Sequence, residues 1–96
     1  MIKPSKRALT LKYMPMAEKL AETAAKHKKY SASEFIYPAT FAMTQAVDYL
    51  LDRYPTLECE NPESIVRNQM EYKFRAMLPY AFTDYEWDLI LQEVRN

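Results

Sequence analysis

The sequence has no glycine in 96 residues, where an average usage of about 7% would supply roughly seven. Loops that cradle phosphate need glycine for close backbone approach, so none can be built here. Two-residue primed hairpin turns lose their usual residue, which argues against a hairpin-rich β fold. Helices must end without the glycine that commonly follows a last turn. Cysteine, histidine and tryptophan occur once each. With Cys59 alone no intrachain disulfide can form, which suits a reducing compartment and sets the expectation of a cytoplasmic protein. With His27 alone there is no His pair, no Cys pair and no Glu-rich helix motif with a His three residues on. Long hydrophobic runs are also missing. The longest uncharged stretch, residues 35–47, has 13 residues and includes Pro38, Thr40, Thr44 and Gln45. It is too short and too polar to span a bilayer, so no membrane partner is expected. Residues 1–14 lack the apolar stretch of a signal peptide.

What is present describes one globular domain, residues 1–96. Hydrophobic residues make up 49% and charged residues 27%, near the ordinary globular balance. A chain of this size buries roughly 60–65% of its unfolded surface, enough for one modest core. Aromatics are abundant, with eight Tyr, four Phe and one Trp. Tyr combines a large apolar body with a polar tip, so it suits cores, core edges and interfaces alike. The net charge is zero, but it is split. Residues 1–30 carry eight basic and two acidic groups, and residues 31–96 carry five basic and eleven acidic groups. The two regions therefore stand at +6 and −6, the most informative global feature of the chain.

Prolines and caps divide the chain into about four helices, an all-α small bundle. Residues 1–8 read as a basic, mobile N-terminal arm. Residues 9–14 are undecided: Leu9, Leu11 and Tyr13 alternate as in a short extended segment, while Leu9, Tyr13, Met16 and Leu20 follow helical spacing across Pro15. Helix one is expected over residues 15–29, with Pro15 in its first turn and Met16, Leu20, Ala24 and His27 as its inward stripe. Ser31-Ala32-Ser33-Glu34 reads as a capping box, followed by a turn that Pro38 kinks or restarts. Helix two is expected over residues 38–53. Phe41, Met43, Val47, Leu50, Leu51 and Tyr54 spread over more than half its circumference, which places it centrally. Tyr54-Pro55 ends it. Asn61 caps helix three with Pro62 at its first position, and Ile65, Val66, Met70, Phe74, Met77 and Leu78 form its apolar face. Glu63, Arg67, Glu71 and Arg75 stand four apart with alternating sign, which predicts a solvent ladder. Pro79 stops this helix, Thr83-Asp84-Tyr85-Glu86 is a second capping box, and helix four follows with Trp87, Ile90, Leu91 and Val94 inward.

No catalytic, cofactor-binding or metal-ligating constellation emerges. His27 reads as a helix-terminal residue at the surface or core edge. Cys59 lies between Glu58 and Glu60, which disfavour its thiolate. The pairs Glu58/Glu60 and Asp84/Asp88 read as solvated charges, since a calcium loop wants a central Gly. Tyr80, Phe82, Tyr85 and Trp87 crowd into eight residues. Phe82 and Trp87 are expected in the core, and Tyr80 and Tyr85 are left as interface candidates. Tyr30 and Tyr37 are similar candidates at the junction of helices one and two.

These features favour a small non-enzymatic binding or regulatory protein that docks on a larger protein or complex. Its expected contacts are Lys3, Lys6, Arg7, Lys12, Lys26 and Lys29, facing an acidic partner, together with Tyr80 and Tyr85. Compact Gly-poor helical proteins of this length are common among phage and mobile-element modulators of host enzymes, inhibitors included. That analogy is one of size and composition, without residue-level support. The alternative is a nucleic-acid-associated protein using the basic N-terminal third, with Tyr13 and Tyr30 stacking on bases. A helix-turn-helix use of helices three and four is opposed by Asp84, Glu86, Asp88 and Glu93 on the would-be recognition helix. A third reading is a homo-oligomeric structural subunit whose +6 and −6 regions pair between copies.

Overall fold

The computed structural model describes residues 5–28 and 32–96. Four helices account for the described chain: α1 (Lys6–Lys28), α2 (Ser33–Arg53), α3 (Pro62–Met77) and α4 (Asp84–Arg95). The all-α bundle expected from the sequence is the fold observed.

The start of α1 differs from expectation. It begins at Lys6, so Lys6, Arg7 and Ala8, expected in a mobile arm, are helical, as are residues 9–14; residues 1–4 of the expected arm lie outside the described residues. Ser5 starts the helix by capping it: its hydroxyl accepts from Ala8 N at 3.0 Å, and its carbonyl from Leu9 N at 3.1 Å. Pro15 therefore lies in the helix interior, a position that costs about 3 kcal/mol relative to Ala. Two features offset the cost. Leu9 and Tyr13, ahead of the proline, are buried, each worth about 1.5–3 kcal/mol. Pro15 and Leu11 are both exposed, so the Leu11 carbonyl deprived of its partner faces water.

Without glycine, α2 and α3 stop ahead of prolines. Tyr54 and Leu78, each followed by Pro, leave the helical region at φ −136°, ψ 72° and φ −129°, ψ 54°, because the ring of the next residue disfavours helical backbone before it. Asn61 does the same ahead of Pro62 and caps α3, accepting from Ser64 N at 3.1 Å. The α2–α3 connection still needs one left-handed residue. Leu57 supplies it at φ 58° and offsets the strain by packing its half-buried side chain on the core. At the start of α2 the cap position is Ala32, which makes no side-chain cap bond. Ser31, the first member of the box expected there, lies outside the described residues.

The bundle is elongated, 46 × 22 × 22 Å. α2 is central, packed between α1 and α3, and α4 packs on α1. Lys6 of α1 reaches Asp48 near the end of α2, and Phe35 at the start of α2 meets Phe74 near the end of α3. α2 therefore runs antiparallel to both neighbours. The α1–α2 seam is lined by small residues, with Ala17, Ala21, Ala24, Ala39, Ala42 and Ala46 fully buried. Leu20, Met43, Val47, Leu50, Val66, Met70, Phe74 and Ile90 fill the remainder.

Four facing expectations are corrected. Phe41 and Tyr54, expected inward, are exposed, and Leu51 is only half-buried while its neighbour Leu50 is fully covered. A helix packed on two sides covers a limited arc, and these residues lie beyond it. Glu71, expected on the solvent ladder, is only 3% exposed.

Candidate functional site

The turn joining α3 to α4 carries the most exposed aromatic, Tyr80, and with it Tyr85. Ala81 N bonds Leu78 O at 3.2 Å, which tightens the chain after Pro79. The capping box expected at Thr83 is complete: its hydroxyl accepts from Glu86 N at 3.1 Å, and Thr83 N donates to Glu86 Oε1 at 2.9 Å. Phe82 and Trp87 point inward, as anticipated. Their rings meet edge-on with centroids 4.8 Å apart, and Phe74 closes on Trp87 at 5.8 Å and 87°. Phe35 stands 5.8 Å from Phe82. Arg75 bridges the turn from outside, its guanidinium 5.6 Å from the Trp87 ring and 2.9 Å from Asp84 Oδ1. Between these fixed points Tyr80 and Tyr85 are held in solvent, 97% and 73% exposed.

The basic residues of the first third do not gather into one patch. Lys6 pairs with Asp48 at 2.9 Å. Lys26 pairs with Glu93 at 2.9 Å, and His27 Nε2 lies 3.4 Å from the other Glu93 oxygen. Lys19 donates to the carbonyl of Asn96 at 3.2 Å. Lys12 lies over the ring of its neighbour Tyr13, 5.5 Å from the centroid, and Arg7 is exposed and makes no ion pair among the described residues. Lys3, Lys29 and Tyr30 lie outside the described residues. The N-terminal charges near Lys6 stand at the end of the bundle opposite Tyr80, because α1 and α3 both run antiparallel to α2.

Several groups are perturbed by these contacts. Hydrogen bonds from Lys26 and then His27 hold the Glu93 carboxyl below its ordinary value. Hydrogen bonds to Glu71, then its charge, raise Arg95. Burial, followed by the charges of Glu63 and Cys59, raises the Tyr13 phenol. Arg95 reaches both Glu71 oxygens, with Nη2 at 2.5 Å and Nε at 3.2 Å from Oε2, so this pair holds α4 to α3.

For chemistry, His27 and the half-buried Cys59 occupy opposite ends of the bundle, and no group of three or more His, Cys, Asp or Glu side chains among the described residues could hold a metal ion. No described helix is long and apolar enough to cross a membrane.

Sequence reasoning missed a second exposed aromatic pair. Tyr37, an interface candidate, is exposed, and Phe41 stacks beside it at 6.3 Å and 14°. Their spacing of four on a helix was the available signal. No family model, curated protein or solved structure matches the chain.

Proposed function

We propose that this chain is a small non-enzymatic binding protein that docks on a larger protein, with Tyr80 and Tyr85 as its anchors. The observation that carries the reading is the α3–α4 turn, where two tyrosines stand in solvent while the two aromatics beside them are locked in the core. An exposed tyrosine on a fixed turn offers large contact area at low ordering cost, which is how interface anchors work. The surplus of Lys and Arg in residues 1–30 adds attraction for an acidic partner, acting on association rate more than on final affinity. A nucleic-acid role draws less support, because the described basic residues of the first third do not gather into the continuous stripe that a phosphate backbone needs.

The test is affinity capture with the wild-type chain and the Tyr80→Ala, Tyr85→Ala double variant, read by mass spectrometry and then by surface plasmon resonance. Both tyrosines are exposed, so the double variant should keep its melting temperature. A protein captured by the wild type and bound at least tenfold more weakly by the variant supports the reading. Equal affinity of both chains for the captured protein refutes it. So does a salt-dependent shift on DNA or RNA with no protein captured, which would make the basic third the working surface.

A further inference from the structure

The face shared by α1 and α2 is built differently from the other outer surfaces. Arg7, Leu11, Met14, Glu18 and Glu22 follow one another at steps of four, three, four and four, so they form a single stripe along α1. The stripe is basic at its start, apolar in the middle and acidic at its end. Leu11 is 62% exposed, unusual for a leucine next to a complete core. Met14, Glu18 and Glu22 line a groove of about 410 Å³ against Ile36 and Thr40 of α2. The Lys6–Asp48 pair and the shared Met14–Thr40 groove fix the antiparallel register of the two helices. That register sets exposed Phe41, with Tyr37 stacked on it, level with the middle of the stripe. Arg7, Glu18 and Glu22 make no ion pair among the described residues.

We infer that this face is an isologous dimer interface, on which a second copy of the chain packs its α1 antiparallel to the first. A two-fold axis between Lys12 and Tyr13 sets Leu11 of each copy opposite Met14 of the other, and Arg7 opposite Glu18, with Glu22 one turn beyond. Every contact occurs twice, as a two-fold requires. The axis joins apolar to apolar and basic to acidic in one alignment. A basic peptide in the same groove would meet like charge at Arg7, and an acidic one at Glu18 and Glu22. Phe41 lies beside the axis and widens the apolar centre, where interface energy concentrates. This surface is distinct from the Tyr80–Tyr85 turn, so the dimer and the docking reading stand or fall separately.

Sedimentation velocity over a concentration series tests it on the full chain. The wild type should sediment at twice the chain mass at high concentration and dissociate on dilution. Leu11→Glu should remain monomeric with an unchanged helical spectrum, because Leu11 contributes little to its own core. Arg7→Glu and Glu18→Arg should each weaken the dimer by about tenfold or more, since each reversal acts at two symmetric pairs. Combining the two reversals should restore the dimer. A chain that stays monomeric up to roughly millimolar concentration, well above a weak-dimer Kd, overturns the inference. So does a dimer indifferent to Leu11→Glu, or a double reversal that behaves no better than the single ones.

Discussion

Trp87 is held by Phe74, Phe82 and the Arg75 guanidinium, yet its buried indole Nε1 has no hydrogen-bond partner among the described residues. An unpaired buried donor costs about 1–3 kcal/mol. Trp87→Phe removes that donor while keeping an aromatic ring in the cluster, so the loss of volume is partly offset. It should cost less than about 1.5 kcal/mol, against about 3–5 kcal/mol for Trp87→Ala. Urea unfolding monitored by circular dichroism measures both, and equal costs would mean that the nitrogen is satisfied in solution. The same measurement separates the two leucines at the end of α2. Leu50 is fully buried and Leu51 half-buried, so Leu50→Ala should lose about 2–5 kcal/mol and Leu51→Ala clearly less. Periodicity alone cannot rank them. An apolar pattern spread over more than half a helix shows only that the helix is central, and its neighbours decide which edge of the pattern is covered.

At the scale of helices, α4 depends on polar contacts that no local pattern reveals. Glu71 stands four residues from Arg67 and from Arg75, which suggested an intrahelical ladder. Only the Arg67–Glu63 rung forms, at 3.3 Å. Glu71 turns to Arg95, and Arg75 turns to Asp84. Arg95→Ala would leave a carboxylate buried without its partner and should cost about 1.5–3 kcal/mol. Glu71→Leu combined with Arg95→Met should recover most of that loss, because an apolar pair replaces the ion pair without desolvation. A double variant no more stable than Arg95→Ala would show that the carboxylate is hydrated in the folded state. By contrast, the helix boundaries at Tyr54-Pro55, Asn61-Pro62, Pro79 and Thr83–Glu86 were legible. Each rests on steric or hydrogen-bonding rules acting within four residues. The start of α1 was not legible, because the cost of an interior Pro15 is local whereas the burial of Leu9 and Tyr13 that offsets it is tertiary.

The contact between α1 and α4 also titrates. Glu93 accepts from Lys26 and lies against His27, and its carboxyl is held below the ordinary value of 4.5. A depressed carboxyl contributes stability that is present above its unfolded value and lost as pH falls through its folded one. The difference in melting temperature between the wild type and Glu93→Gln should therefore be present at about pH 5 and shrink as pH falls below that. A difference that persists to about pH 2 would assign the contact to packing rather than charge.

For the whole molecule, the +6 and −6 regions meet inside one fold. Lys6 finds Asp48 across 42 residues of sequence, and Lys26 finds Glu93 across 67. Folding brings the basic first third against acidic groups on α2 and α4, so part of the charge split acts between helices of the same chain. Exposed pairs are worth about 0–1 kcal/mol each, and salt weakens them as the screening length falls from about 30 Å at 0.01 M to about 3 Å at 1 M. A combined loss of about 1 kcal/mol corresponds to roughly 4–8 °C for a domain of this size. The melting temperature in NaCl, at one low protein concentration, should therefore fall by several degrees across that range. Lys6→Glu with Lys26→Glu turns both attractions into repulsions, so this variant should melt lower at low salt and gain stability as salt is added. The opposite slopes are what identify the cause, since a general salt effect would move both proteins the same way. Equal salt slopes in the two proteins would show that these pairs contribute nothing to the fold. The basic third would then carry its full charge toward a partner.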